Sequence, residues 1–381
     1  MSENSNKLEV LVLEGTARER GRAHGEALRE LIHEHHARWL DALQKQTGMD
    51  EQFYLDRLLA ETNFMPAIER WTPNLLDEVR GIAEGANIDF RYTFARQLSD
   101  EEPWFRREMK SVKKVDADEN PACSSIGLSA REGRTTVIGQ NMDTPTWYDG
   151  LQVLLHLKGS DMPVEVFSFS LAGKISLCGM NSNGLGVCCN TLAQLDSARD
   201  GLPEDFVVRG FLAQENLAAG LEFMNSIKHA SGQNYTIAEP GSRAINLEAS
   251  ANGIEEFLPF TGADRVYHTN HPLENDDQAM FRKALAECDN EDELIPSYNG
   301  STMERFGELQ QRLSAPEKVL GISDIKAAFS SHTGGVCRHP DEHGAGNITL
   351  GCLIMDLGET PSLQIAPGPP CKTSFVEYRF P

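Results

Sequence analysis

The chain has 381 residues, with 57 acidic against 35 basic side chains and a net charge of -22. That excess repels phosphate backbones and anionic membrane surfaces, so neither nucleic acid nor a membrane is an expected partner. Hydrophobic residues at 40% and charged residues at 24% describe a globular protein with an ample core. No run approaches the ~18 apolar residues of a membrane helix.

The first residues, MSENSNKLEV, lack the basic and apolar regions of a secretory signal, and Tyr378-Arg379-Phe380-Pro381 is not a peroxisomal tripeptide, so the expected location is cytoplasmic. Eight cysteines there are expected to be reduced, and no CxxC pair occurs. Residues 8 to 13 read as a strand and Thr16 to Leu43 as one long helix, opened by GTARERGRAHG. Gly21 and Gly25 in that motif imply close helix packing. His33, His35 and His36 share the helix, but no Cys or carboxylate set completes a metal site, so a solvated or half-buried face is expected. Helices follow at 51 to 61 and 74 to 86, leaving the first 110 residues mostly helical.

Past Cys123 the pattern turns to strands. Ile126 to Ala130 and Thr135 to Gly139 flank Arg131-Glu132-Gly133-Arg134 and predict a hairpin; 152 to 157, 164 to 170, 174 to 179 and 185 to 190 follow at strand spacing, with Asn183-Gly184 as a turn. Helices are expected at 205 to 212 and 215 to 227, and strands at 234 to 238, 243 to 248 and 253 to 258. Helical patterns near 277 to 287, 302 to 313 and 323 to 329 precede last strands at 347 to 355, 362 to 366 and 373 to 378. Sheets, helices and sheets in blocks, with antiparallel hairpins, argue for an α+β layered fold over alternating βαβ units. No convincing domain boundary appears, so a single domain, 1–381, is expected. The polar loop 110 to 121 reads as a linker leading to Cys123 at the start of a strand, an unusual address for a structural cysteine.

Cys123-Ser124-Ser125 followed by Gly139-Gln140-Asn141-Met142-Asp143 resembles the nucleophile region of the acyl-coenzyme A:6-aminopenicillanic acid acyltransferase family (peptidase C45), a cysteine-dependent branch of the N-terminal nucleophile (Ntn) hydrolases. The resemblance implies a four-layer αββα sandwich. It also implies self-cleavage between Ala122 and Cys123, giving an α fragment, 1–122, and a catalytic β fragment, 123–381. The freed α-amine, with a reference pKa of roughly 7.7 to 8.0, would then serve as general base.

By the same resemblance Asp143 lies near that amine, and Asn270, in His268-Thr269-Asn270-His271-Pro272, donates to the oxyanion. Asn190 supplies a second polar group near the acyl carbonyl, through its backbone N–H. Arg338, in Cys337-Arg338-His339-Pro340, braces Asp143 or a substrate carboxylate. His332, His339 and His343 lie near Arg338, but their spacing fits no standard zinc pattern, so neither metal nor cofactor is expected. The implied activity is a cysteine amidohydrolase or acyltransferase on a small N-acyl compound, with an acceptor amine or acyl-CoA as conceivable second substrate and homo-oligomerisation left open. Two other readings stay open: an unprocessed homologue that binds without catalysis, and a papain-like hydrolase pairing Cys123 with His268 or His271.

Overall fold

Thr16 opens the helical part of the chain with a reciprocal cap: its backbone N–H donates to Glu19 Oε2 at 2.9 Å and its hydroxyl accepts from the Glu19 N–H. The computed structural model describes residues 8–109, 122–259, 264–288, 290–291, 294–295, 298, 301–315, 318–341 and 346–381. The linker 110 to 121 expected before Cys123 lies outside the described residues, as does His343.

After strand β1 (Val10–Glu14) come α1 (Ala17–Ala27), α2 (Arg29–Thr47), α3 (Glu51–Glu61), α4 (Met65–Trp71), α5 (Pro73–Ala86), α6 (Phe90–Ala95) and α7 (Glu101–Glu108). The single helix expected over 16 to 43 is therefore two, parted where Leu28 leaves helical geometry at φ -111° and ψ 21°. Close packing at Gly21 and Gly25 is observed: a Cβ on Gly21 would stand 1.9 Å from the Glu78 carbonyl oxygen, and one on Gly85 of α5 would stand 2.1 Å from that of Arg22. Helices α1 and α5 thus touch backbone to backbone, which only glycine permits.

The hairpin appears as β2 (Ser124–Leu128) and β3 (Thr136–Pro145), followed by β4 (Gln152–Lys158), β5 (Val166–Leu171), β6 (Cys178–Asn181) and β7 (Gly186–Thr191). Helices α8 (Glu204–Leu212) and α9 (Leu217–Ser226) precede β8 (Gln233–Ala238), β9 (Ile245–Ala249), β10 (Ile254–Phe257) and β11 (Arg265–His268). Then come α10 (Ala279–Glu287), α11 (Thr302–Leu313), α12 (Ile322–Phe329), β12 (Asn347–Leu357), β13 (Ser362–Ala366) and β14 (Val376–Arg379).

The strands form an eight-stranded sheet, β1-β4-β5-β6-β7-β8-β9-β10, and a six-stranded sheet, β11-β2-β3-β12-β13-β14. All pairs are antiparallel except β1 with β4. Alternation along the strands splits the apolar side chains into three layers. Ile138, Met142, Phe167, Phe169, Met355 and Leu363 pack between the sheets. Leu155, Val187 and Ile237 face the N-terminal helices on one outer side, and Ile126, Val137 and Ile354 face α11 and α12 on the other. The result is the four-layer αββα sandwich.

Candidate active site

Cys123 directly precedes β2 and is 5% exposed. Its neighbours on β3 hold it in the six-stranded sheet: the Ala122 N–H donates to the Asp143 carbonyl at 3.2 Å, and the Gln140 side chain and the Asp143 backbone stand beside the thiol. Gln140 in turn bridges the sheets, donating to the Cys189 carbonyl and accepting from the Cys189 N–H at 3.0 Å. Burial pushes the thiol up to about 12, and the nearby Asp143 charge adds to the rise.

Asp143 sits on β3 beside an irregularity in the β3–β12 ladder, where the register slips between Thr349 and Gly351. Such a bulge re-aims a strand, and here Thr349 Oγ1 reaches Asp143 Oδ1 at 2.5 Å. Arg338 Nε stands 3.5 Å from Asp143 Oδ2, and the Arg338 N–H donates to Thr349 Oγ1 at 2.9 Å. Burial raises the Asp143 carboxyl to about 6, and the charge of Arg338 with the Thr349 hydrogen bond offsets part of that rise.

A second arginine joins the site. Arg305 on α11 is fully buried; it donates to the Cys123 carbonyl, to Ser124 Oγ at 3.2 Å and to Asn270 Oδ1 at 2.9 Å. Burial pulls its guanidinium down to about 10, still cationic at neutral pH, with Asp143 opposing the drop. The sequence carried a signal for it: Arg305, Leu309 and Leu313 recur at four-residue spacing, so an arginine occupies an apolar stripe.

Asn270 is nearly buried; its amide donates to the Thr191 carbonyl at 2.9 Å and its backbone N–H to Thr302 Oγ1 at 2.7 Å. It lines a narrow recess whose Asp100, Pro103 and Thr191 also line the cleft that holds Cys123. The Asn190 side chain points between the sheets, where its Oδ1 accepts from Ser125 Oγ at 2.8 Å and Asn234 Nδ2 at 3.0 Å. Of the five sequence-predicted residues, Cys123 and Asp143 face the cleft together, Arg338 and Asn270 are tied to them, and the Asn190 side chain is turned away.

The histidines are spent elsewhere. His268 is held at both ring nitrogens, by Glu248 at 2.6 Å and the Thr269 carbonyl at 2.9 Å, and His271 Nδ1 bonds Thr302 Oγ1 at 2.8 Å. Burial lowers His271 to about 4. Of the early trio, His35 and His36 are buried rather than solvated; His33, His35 and His36 each bond a backbone carbonyl.

The cleft spans about 970 Å³, its open mouth included. One wall is aromatic and aliphatic: Trp39, Leu43, Trp147, Tyr148 and Leu177, with Trp147 and Tyr148 stacked at 3.6 Å and the Arg96 guanidinium 4.9 Å from the Trp39 ring. Another part of its lining is ionic. Lys174 Nζ meets Asp205 Oδ1 at 2.9 Å, and burial drives the adjacent Glu204 carboxyl well above its ordinary range. Sequence reasoning passed over this part, because Lys174 and Glu204 sit in unremarkable turn and helix-start contexts.

A cysteine at the head of a strand opens into a cleft of an αββα sandwich, the arrangement implied by the sequence resemblance to an Ntn-type hydrolase or acyltransferase. The family model described as acyl-coenzyme A:6-aminopenicillanic acid acyl-transferase matches residues 130–348, more than half of the chain, and the chain belongs to that family. The matched segment begins past Cys123 and contains Asp143, Asn190, Asn270, Arg305 and Arg338. Among solved structures, the chain is similar to a mutant of the conjugated bile acid hydrolase from Clostridium perfringens, at 11% identity and a TM-score of 0.44 over 68% of this chain and 97% of that one. A second variant of the same enzyme aligns at 12% identity and a TM-score of 0.40, over the same shares. Among the described residues, no helix is long and apolar enough to cross a membrane.

Proposed function

We propose that this chain is a precursor that cuts itself between Ala122 and Cys123, and that the mature enzyme cleaves or transfers the acyl group of a small N-acyl compound through a thioester on Cys123. The observation that carries the reading is the placement of Cys123: at the head of β2, lining a largely apolar cleft, with Asp143 and Arg305 fixed around it.

In the precursor the sulfur adds to the Ala122 carbonyl, the C–N bond breaks, and the Cys123 nitrogen takes the thiol proton. Water then hydrolyses the thioester, leaving the Ala122 carboxylate and a free Cys123 amine. In turnover that amine accepts the thiol proton as sulfur attacks the acyl carbonyl, and it returns the proton to the departing amine. Water or an acceptor amine completes the cycle, its own proton passing to the same base. Asp143, fixed by Thr349 and Arg338, orients the amine and favours its protonated form between the two half-reactions. Asn270 becomes an oxyanion donor when its amide exchanges the Thr191 carbonyl for the reacting oxygen. The aromatic wall of Trp39, Trp147 and Tyr148 suits an apolar acyl group.

The test is the intact mass of denatured wild type beside Cys123→Ala. Two fragments meeting at Ala122 and Cys123 in the wild type, with one chain in the variant, are expected. A single uncut chain in both after prolonged incubation would overturn self-processing and favour a non-catalytic binding homologue. A papain-like enzyme would stay uncut yet active and would lose that activity in His268→Ala or His271→Ala; the engaged ring nitrogens of His268 argue against it.

A further inference from the structure

Four side chains outside the cleft converge without a role in the chemistry above: His332, Cys337, His339 and Cys371. Their donor atoms all lie within 4.8 Å of one another. The separations are 3.0 Å from His339 Nε2 to Cys371 Sγ, 3.3 Å from His332 Nε2 to Cys371 Sγ, and 3.9 Å from Cys337 Sγ to His339 Nε2. With metal–sulfur bonds of about 2.3 Å and metal–nitrogen bonds of about 2.0 Å, the edges of a coordination tetrahedron run from about 3.3 to about 3.8 Å. We infer that these residues form a Cys2His2 site for one structural Zn2+.

The local fold brings the donors together. His332 begins a short turn, Thr333–Gly335, in which Gly334 and Gly335 take φ of 65° and 76°, so the chain reverses and Cys337 and His339 return beside it. The two rings meet edge to face at 80°, and both present Nε2 to the Cys371 sulfur. Cys371 arrives from the segment after β13. No zinc pattern is visible in the sequence because the fourth ligand lies more than thirty residues beyond the other three. All eight cysteines are free thiols, so both sulfurs are available.

The donor set suits a borderline-soft ion of tetrahedral preference. Binding replaces one proton on each thiol, releasing two protons per ion; two thiolates and two neutral imidazoles then balance the dication. A closed four-ligand shell leaves no position for a substrate, so the role is structural. Its consequence reaches the cleft, because Arg338 lies between two ligands: with Cys337 and His339 anchored, the guanidinium is held against Asp143.

The measurement is metal content of the full-length protein, purified without a histidine tag, followed by Co2+ titration of chelator-stripped material. About one zinc per chain is expected, with the intense visible and thiolate-to-metal absorption of tetrahedral Co2+, and both should vanish in Cys337→Ala/Cys371→Ala. Should that double variant fail to fold, the exposed His332→Ala alone should weaken zinc at least about tenfold. Three results would overturn the site: less than about a tenth of an equivalent of zinc with no Co2+ band; metal content unchanged in the variants; or a non-reduced mass two hydrogens short with Cys337 and Cys371 unreactive, which marks a disulfide. All readouts are equally available in Cys123→Ala, so they stand or fall apart from the proposed catalysis.

Discussion

The two outer helical layers of the sandwich are built on different principles. On the N-terminal side, α1 and α5 meet through Gly21, Gly25, Gly81 and Gly85, with carbonyl oxygens where side chains would be, and a broad apolar core lies beneath. On the other side, α11 and α12 cover the six-stranded sheet, and buried arginines do much of the fixing. Arg265 donates to the carbonyls of Leu313, Ala315 and Lys318, and Arg305 to Cys123 and Asn270. Dispersion over a large area needs no particular geometry at a distance, whereas a guanidinium fork imposes one. This second layer is accordingly the one that fixes the groups around Cys123.

Substitutions in each layer should break differently. Gly85→Ala should be the most damaging to the fold, costing upwards of about 3 kcal/mol in urea unfolding, because its new methyl has only backbone to displace. A near-neutral result would mean α1 and α5 part freely. Arg305→Met should leave a foldable chain whose self-cleavage and turnover fall about a hundredfold, since both the Cys123 carbonyl and Asn270 lose their donor. Normal cleavage in that variant would remove Arg305 from the site.

The N-terminal layer also buries an acid, Glu101, which accepts from Ser231 Oγ at 2.7 Å and the Glu204 N–H at 3.0 Å. Burial, with Asp100 beside it, raises its carboxyl to about 8. The folded chain therefore holds a proton that the unfolded chain has lost, and stability falls as pH rises between roughly 4.5 and 8, by up to about 1.4 kcal/mol per unit, then levels. Glu101→Gln should flatten the fall in melting temperature from about pH 6 to 8; an unchanged slope would assign it to other groups. The smallest effect is expected at Gly307, exposed in the middle of α11, where an added Cβ would meet nothing within 4 Å. Gly307→Ala should stabilise by about 0.5 to 1 kcal/mol, opposite in sign to Gly85→Ala.

Much of this architecture could be read from local pattern. Alternation and turn residues placed the β2–β3 hairpin and the strands flanking Asn183-Gly184, because those signals lie within a few residues of the elements they specify. Strand β11 went unread: Arg265–His268 is only four residues long and owes its conformation to pairing with β2. The break at Leu28 leaves no mark either, since the hydrophobic period runs through it. At the site, Cys123 and Asp143 were visible as parts of a contiguous motif. Arg305 and Thr349 come from distant segments and join only through α11 packing and the slip in the β12 ladder. Asn190 shows the reverse limit, for its strand was predicted while the direction of its side chain depends on Ser125 and Asn234 across the interior.

Strand β1 lies at the edge of the eight-stranded sheet in parallel register with β4, and the Tyr378 hydroxyl donates to the Leu8 carbonyl at 3.1 Å. Trp39, Arg96 and Asp100 complete the cleft from before Ala122, while Cys123 and Asp143 come from after it. Under the proposed cut, the same native structure would consist of two interleaved molecules, and its unfolding would become a dissociation. Refolding of the mature protein should then be second order, slowing on dilution, while Cys123→Ala should refold by a first-order process indifferent to concentration. The cut would change the molecularity of folding while leaving every strand in place.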